Sequence, residues 1–143
     1  MKQPLIVEGA NIISLFCRLS VHMKKNLPLR PSEIGLLIYT VKSETPVTPI
    51  MAANYFKVSK PMIAGMVKQL SATGYLTKTP SEHDRRSYTL TPTASAKALT
   101  EEVYDEYFKD MRRLLSGMGE KKFQDMLHLL AEANTLLLEK ENE

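Results

Sequence analysis

Between Thr48 and Thr91 the chain runs through two short helical stretches, a tight break and a charged hairpin, and this order constrains the fold more than any other feature. The segment Thr48-Pro-Ile-Met-Ala-Ala-Asn-Tyr-Phe-Lys-Val-Ser-Lys-Pro-Met-Ile-Ala-Gly-Met-Val-Lys-Gln-Leu70 reads as two helices broken at Lys57-Val58. Thr48-Pro49 carries a start signal: threonine caps free backbone N–H groups and proline is pre-set for the first turn. Ser59 caps the next helix, with Pro61 inside its first turn, where no intrahelical bond is lost. That helix is predicted to run to about Thr73, and Gly74 supplies a left-handed stop. Tyr75–Thr79 and Ser87–Thr91 alternate and are rich in β-branched residues, as strands are. Pro80-Ser-Glu-His-Asp-Arg-Arg86 joins them. Two helices across a tight break, followed by a basic hairpin, make a winged helix–turn–helix, a shape suited to a helix in the DNA major groove with a wing beside it.

The flanks are helical. Leu5, Ile12, Phe16, Leu19, Met23 and Leu27 are separated by sums of three and four residues, which predicts an amphipathic first helix over about 4–28. Residues 32–43 are apolar nearly all round, as a buried helix is. Thr91-Pro92 repeats the cap signature and is expected to open a fifth helix, with Leu99, Val103, Tyr104, Phe108, Met111, Leu115 and Met118 along one side. Gly117 and Gly119 are expected to end it. A sixth helix carries Phe123, Leu127, Leu130, Leu137 and Leu138. The fold class is therefore mainly α: a winged-helix lobe over about 31–93 with a small β-hairpin wing, and N- and C-terminal dimerisation helices over about 4–28 and 93–140, in one domain of 143 residues. The end helices carry more apolar surface than a small winged helix needs. A larger monomeric core is one explanation. A two-fold dimer, the commonest oligomer, is the preferred one, and it suits paired DNA half-sites.

Charge follows the same division. The net charge is only +3, but its distribution is oriented. From Thr45 to Thr93 the basic residues are Lys57, Lys60, Lys68, Lys78, Arg85 and Arg86, against Glu82 and Asp84. After Ala94 come Glu101, Glu102, Asp105, Glu106 and Asp110. Such a pattern favours a polyanion bound by the middle and repelled by the tail. Cys17 is the only cysteine, so no intrachain disulfide forms. With no secretory pattern and no apolar run of about 20 residues, the expectation is a cytoplasmic protein without a membrane contact.

On the fourth helix Ile63, Met66, Val67 and Leu70 are predicted to face the core. Pro61, Ala64, Gly65 and Lys68 then form one opposite stripe, small in the middle and basic toward its ends with Lys60. Small side chains let the backbone approach the groove floor while Lys60 and Lys68 reach phosphates. The stripe has no Asn or Arg for a bidentate base contact, although Ala64 can touch a thymine methyl and Gln69 can reach a base from the edge. DNA shape then carries much of the preference. At the wing, an arginine of Asp84-Arg85-Arg86 suits a narrow, electronegative minor groove. Asp84 makes sense as a carboxylate gripping a guanidinium, or as a plain turn salt bridge. The candidate DNA contacts are Ser59, Lys60, Pro61, Ala64, Gly65, Lys68, Gln69, Asp84, Arg85 and Arg86.

Leu70-Ser-Ala-Thr-Gly74-Tyr-Leu, then Asp84-Arg-Arg and Leu90-Thr91, in this order of helices, resemble the MarR family of bacterial transcription regulators over nearly the whole chain. The resemblance implies a two-fold dimer with interleaved terminal helices, a recognition helix at 59–73 and a wing at about 75–90. It implies Arg86 in the minor groove and repression relieved by a small aromatic or phenolic ligand or by oxidation; a two-fold dimer that holds its recognition helices one DNA turn apart calls for an inverted-repeat operator in double-stranded DNA. Two departures are visible: Ala94 and Lys57 stand where the family commonly has glycine.

Other functions fit less well. His22, His83 and His128 are widely separated, and no metal spacing, nucleophile elbow or phosphate loop is present; no enzyme, metal or cofactor is expected. A redox-sensing repressor switched through Cys17 is an alternative. It lacks the tyrosines close in sequence that peroxide sensors of the family use. A winged helix serving as a protein-interaction module is a third reading, against which the basic stripe and wing argue.

Overall fold

The computed structural model describes residues 2–23, 27–82, 84 and 86–141. Among these the order is α1 (Lys2–Met23), α2 (Pro31–Lys42), α3 (Pro49–Phe56), α4 (Lys60–Ala72), β1 (Leu76–Pro80), β2 (Tyr88–Pro92), α5 (Ala94–Met118) and α6 (Glu120–Glu141). The chain divides into two compact units, Met1–Tyr107 and Phe108–Glu143, with the boundary inside α5. The mainly α winged helix–turn–helix with a two-stranded wing is what the sequence leads one to expect. Of the expected first helix, residues 24–26 lie outside the described residues, and Leu27 and Pro28 form a bend rather than helix.

In the first unit the core is assembled from α2, α3, α4, the hairpin, the start of α5 and Val47 before α3. Leu36, Leu37, Val47, Ala52, Ile63, Val67, Leu70, Leu76, Leu90 and Ala96 are buried in one cluster. Nearly all of α2 is inside, including Glu33, whose side chain accepts the Arg30 N–H at 3.3 Å and so closes the helix start. Among the described side chains of α1, Leu5, Ile6, Ile12, Ile13, Phe16 and Leu19 are all exposed.

Several element ends differ from the sequence expectation by a residue or two, for identifiable reasons. α4 closes in a Schellman motif: the Tyr75 N–H donates to Leu70 O at 2.8 Å and the Gly74 N–H to Ser71 O at 3.2 Å, with Gly74 at φ +86°. Tyr75 is consumed by this stop, so β1 begins at Leu76 rather than Tyr75. Ser87 is likewise taken by the wing turn, and β2 begins at Tyr88. Thr91-Pro92 does not open α5. Pro92 pairs with Leu76 at the end of the hairpin, and Thr93 is the cap, its Oγ1 accepting the Ala96 N–H at 3.2 Å while donating to Gly74 O at 2.7 Å. Gly117 lies inside α5, and Gly119, at φ +88°, makes the stop alone.

In the second unit, the end of α5 and α6 bring Leu115, Phe123 and Leu127 to the wall of one shallow groove. Among the described side chains of α6 none is buried, and Leu127, Leu129, Leu130, Leu136 and Leu137 are exposed. Lys121 and Asp125, one turn apart on α6, form an ion pair at 2.9 Å.

Candidate nucleic-acid interface

The helix–turn–helix is fixed at three points. Thr48 Oγ1 accepts the Met51 N–H at 3.2 Å and starts α3. Lys57 then takes a left-handed conformation (φ 56°, ψ 45°), which turns the chain toward α4. A non-glycine residue there carries strain, on the order of 1 kcal/mol, so the departure from glycine leaves the turn intact at a cost. Ser59 Oγ accepts the Met62 N–H at 3.2 Å and starts α4. Aromatic packing locks α3 to α2: the Tyr39 and Tyr55 rings stack at 4.3 Å, and Phe56 meets both edge-on. A Cβ on Gly35, in the buried middle of α2, would come within 2.8 Å of Tyr107 Oη, so α5 packs against α2 through the space that glycine leaves. Burial and, secondarily, the neighbouring Tyr55 raise the Tyr107 phenol above its ordinary pKa.

α4 sorts its residues as its periodicity requires. Ile63, Val67 and Leu70 are fully buried and Met66 half-buried. Lys60, Pro61, Ala64, Gly65, Lys68 and Gln69 are exposed together on the outer side, with Ser59 exposed at the cap. The structure thus brings seven of the ten candidate residues into one surface.

The wing holds the rest. β1 and β2 pair antiparallel, Thr77 opposite Thr91 and Thr79 opposite Thr89, so these four threonines share one face. Thr79 and Thr91 hydroxyls are bonded at 3.0 Å. The other face holds Leu76 and Leu90 inward and carries Lys78 over the Tyr88 ring at 4.9 Å. The Leu90 N–H donates to Val47 O at 2.7 Å, anchoring the hairpin to the segment before α3. At the tip Asp84 Oδ1 accepts the Arg86 backbone N–H at 2.9 Å, and the Ser87 N–H donates to Asp84 O at 3.1 Å. Asp84 therefore holds the backbone of Arg86, as a short turn favours; a grip on the Arg85 guanidinium falls outside the described residues. Arg86 is exposed, while Arg85 and His83 lie outside the described residues.

Sequence reasoning passed over Met62, which is 53% exposed in the first turn of α4. An apolar residue beside Ile63 is easily read as core, and only its angular position, one step off the buried row 63, 67, 70, tells otherwise. Lys78 and the threonine face were also missed; the pairing register that groups them depends on the tip length. Cys17 is exposed on α1. Among the described residues no group of three or more metal-ligating side chains occurs, and no helix is long and apolar enough to cross a membrane.

Residues 27–87, the span from just before α2 through the wing tip, match the MarR family. This segment is a MarR-family winged helix. Solved structures extend the likeness to the flanking helices. A transcriptional regulator from Thermotoga maritima, Tm0710, is 25% identical over 99% of both chains, with a TM-score of 0.53. BpsR of Bordetella bronchiseptica, whose DNA binding is regulated by 6-hydroxynicotinic acid, is 16% identical, covering 88% of this chain and 91% of its own, with a TM-score of 0.75. MepR of S. aureus, solved in complex with DNA, is 16% identical over 89% of this chain and 93% of its own, with a TM-score of 0.72. The MarR-family match covers the elements that carry the whole candidate surface, from Ser59 on the α4 cap to Arg86 on the wing.

Proposed function

We propose that the protein is a homodimeric, sequence-specific DNA-binding transcription repressor that reads an inverted-repeat operator and is released by a small aromatic or phenolic ligand. The observation that carries this reading is the exposed side of α4. Lys60 and Lys68 flank Ala64 and Gly65 on that helix, which carries no acidic residue; the acidic residues of the lobe, Glu33, Glu44, Glu82 and Asp84, all lie outside it. α4 supplies the groove-entering element, and Arg86 on its Asp84-fixed turn supplies a minor-groove cation. The DNA complex of S. aureus MepR supports the DNA partner, and the regulation of BpsR by 6-hydroxynicotinic acid supports the ligand class.

Dimerisation rests on α1 and α6. Leu5, Ile6, Val7, Ile12, Ile13 and Leu15 point to almost every side of α1, with Leu5 71% exposed. A helix apolar all round needs cover from more than one direction. An interleaved partner gives that cover.

The test is binding of the full chain to random duplex DNA with selection of retained sequences. A selected inverted repeat is expected. If the dimer neutralises about six to ten phosphates, affinity falls about 10³–10⁵-fold between 50 and 200 mM salt. Binding without salt dependence, or retention of no sequence over another, refutes the reading.

A further inference from the structure

Resting on the DNA reading above, we infer that α4 recognises thymine C5-methyl groups, with Met62 as the principal specificity-determining side chain and Gly65 as the point of closest backbone approach. Met62 has its backbone N–H committed to the Ser59 cap, while its side chain is 53% exposed in the first turn. Recognition helices meet base edges with their N-terminal residues. A flexible, polarisable thioether at that place fits an apolar target. In the major groove the thymine methyl is the one apolar feature a base pair offers.

Two further observations point the same way. The exposed side of α4 holds Lys60, Lys68 and Gln69 as its long polar side chains, with no arginine or asparagine. Gln69 alone among them has the paired donor and acceptor that read adenine; the lysines are point charges suited to phosphate. An A·T-rich half-site read by methyl contact and one amide is the complement of this surface. Gly65 adds the geometric argument. It sits in the helix interior, where glycine is less favourable than alanine, and a Cβ built on it meets nothing within 4 Å. Packing within the chain therefore gives no reason for glycine at 65. A surface from outside that must come closer than a methyl group allows does give one.

The experiment uses the full-length protein and a duplex of the sequence it selects from random DNA. Each thymine of the half-sites is replaced in turn by deoxyuridine, which removes the C5-methyl and leaves every hydrogen-bonding group. The wild-type protein is expected to bind about fourfold more weakly for each contacted methyl removed, the transfer free energy of one buried carbon unit. Met62→Ala is expected to bind the thymine duplex more weakly and to lose the discrimination at one thymine per half-site. Gly65→Ala is expected to melt at the same or a higher temperature than wild type while binding less tightly. A selected site bound equally with thymine or uracil overturns the inference and leaves the DNA reading standing. So does a Met62→Ala protein that discriminates as wild type does, and a Gly65→Ala protein of undiminished affinity removes the close approach. If no sequence is selected, the DNA reading itself fails.

Discussion

Gly35 and Tyr107 show how one missing Cβ sets a packing distance. Alanine at 35 would put a methyl 2.8 Å from Tyr107 Oη, so Gly35→Ala is expected to destabilise the fold by about 1–3 kcal/mol, the usual cost of overpacking. In a Tyr107→Phe background the obstructing oxygen is gone, and the same change should be neutral or stabilising, because alanine suits a helix better. Urea unfolding of the four proteins of this cycle measures the coupling; additive effects would rule out the contact. Tyr107 also makes stability pH-dependent. Burial raises its folded-state pKa above the ordinary value of 10.0, so the native state holds the proton more tightly than the unfolded chain. The resulting stabilisation is complete below about pH 10 and is lost as pH rises from the unfolded value through the raised native one. Unfolding at pH 8 and pH 10.5 should show a larger drop for wild type than for Tyr107→Phe.

At the scale of elements, the wing is a two-stranded antiparallel arm. Its base is held by Leu76 and Leu90 in the core and by the Val47 bridge, so the tip can change without cost to the fold. Arg86→Ala is expected to weaken operator binding by about 1–3 kcal/mol, with thermal unfolding nearly unchanged. Asp84→Ala removes the acceptor that holds the Arg86 N–H. It should weaken binding as well, although it deletes a negative charge near phosphate. Tighter binding by Asp84→Ala in fluorescence anisotropy would show that the carboxylate acts only through repulsion. The cap of α4 is a separate lever: Ser59→Ala should cost about 1 kcal/mol of stability, since Ser59 Oγ satisfies the Met62 N–H.

For the whole molecule the decisive quantity is apolar surface left uncovered within each unit. α1 exposes Leu5, Ile12, Phe16 and Leu19, and α6 exposes Leu130 and Leu137, the last at 67%. A soluble monomer usually leaves a contiguous apolar patch of no more than roughly 300–600 Å², so each of these helices, taken by itself, calls for cover. A homodimer interface covering them should bury more than roughly 2,000 Å². It would hold two recognition helices about 34 Å apart, one turn of DNA. Sedimentation at micromolar concentration is expected to give a dimer. Deleting α6 should abolish both the dimer and most DNA affinity, although it removes no candidate DNA contact. A monomer in the intact protein would remove the dimer model.

Local chemistry determined much of this protein from the sequence alone. Thr48-Pro49 and Ser59 with Pro61 fixed two helix starts, Gly74 fixed a stop, and the buried row Ile63, Val67, Leu70 fixed which side of α4 faces out. These signals are legible because each acts within one turn of helix. What tertiary structure decided are the places where one group serves two elements. Tyr75 closes α4 and so cannot begin β1. Thr93, not Thr91, caps α5, because Thr93 also bonds back to Gly74 across the hairpin. The role of Gly35 appears only when Tyr107, far along the chain, arrives above it. Met62 and Ile63 are adjacent and equally apolar, yet one is exposed and the other buried; only the angle at which α4 lies on its core distinguishes them.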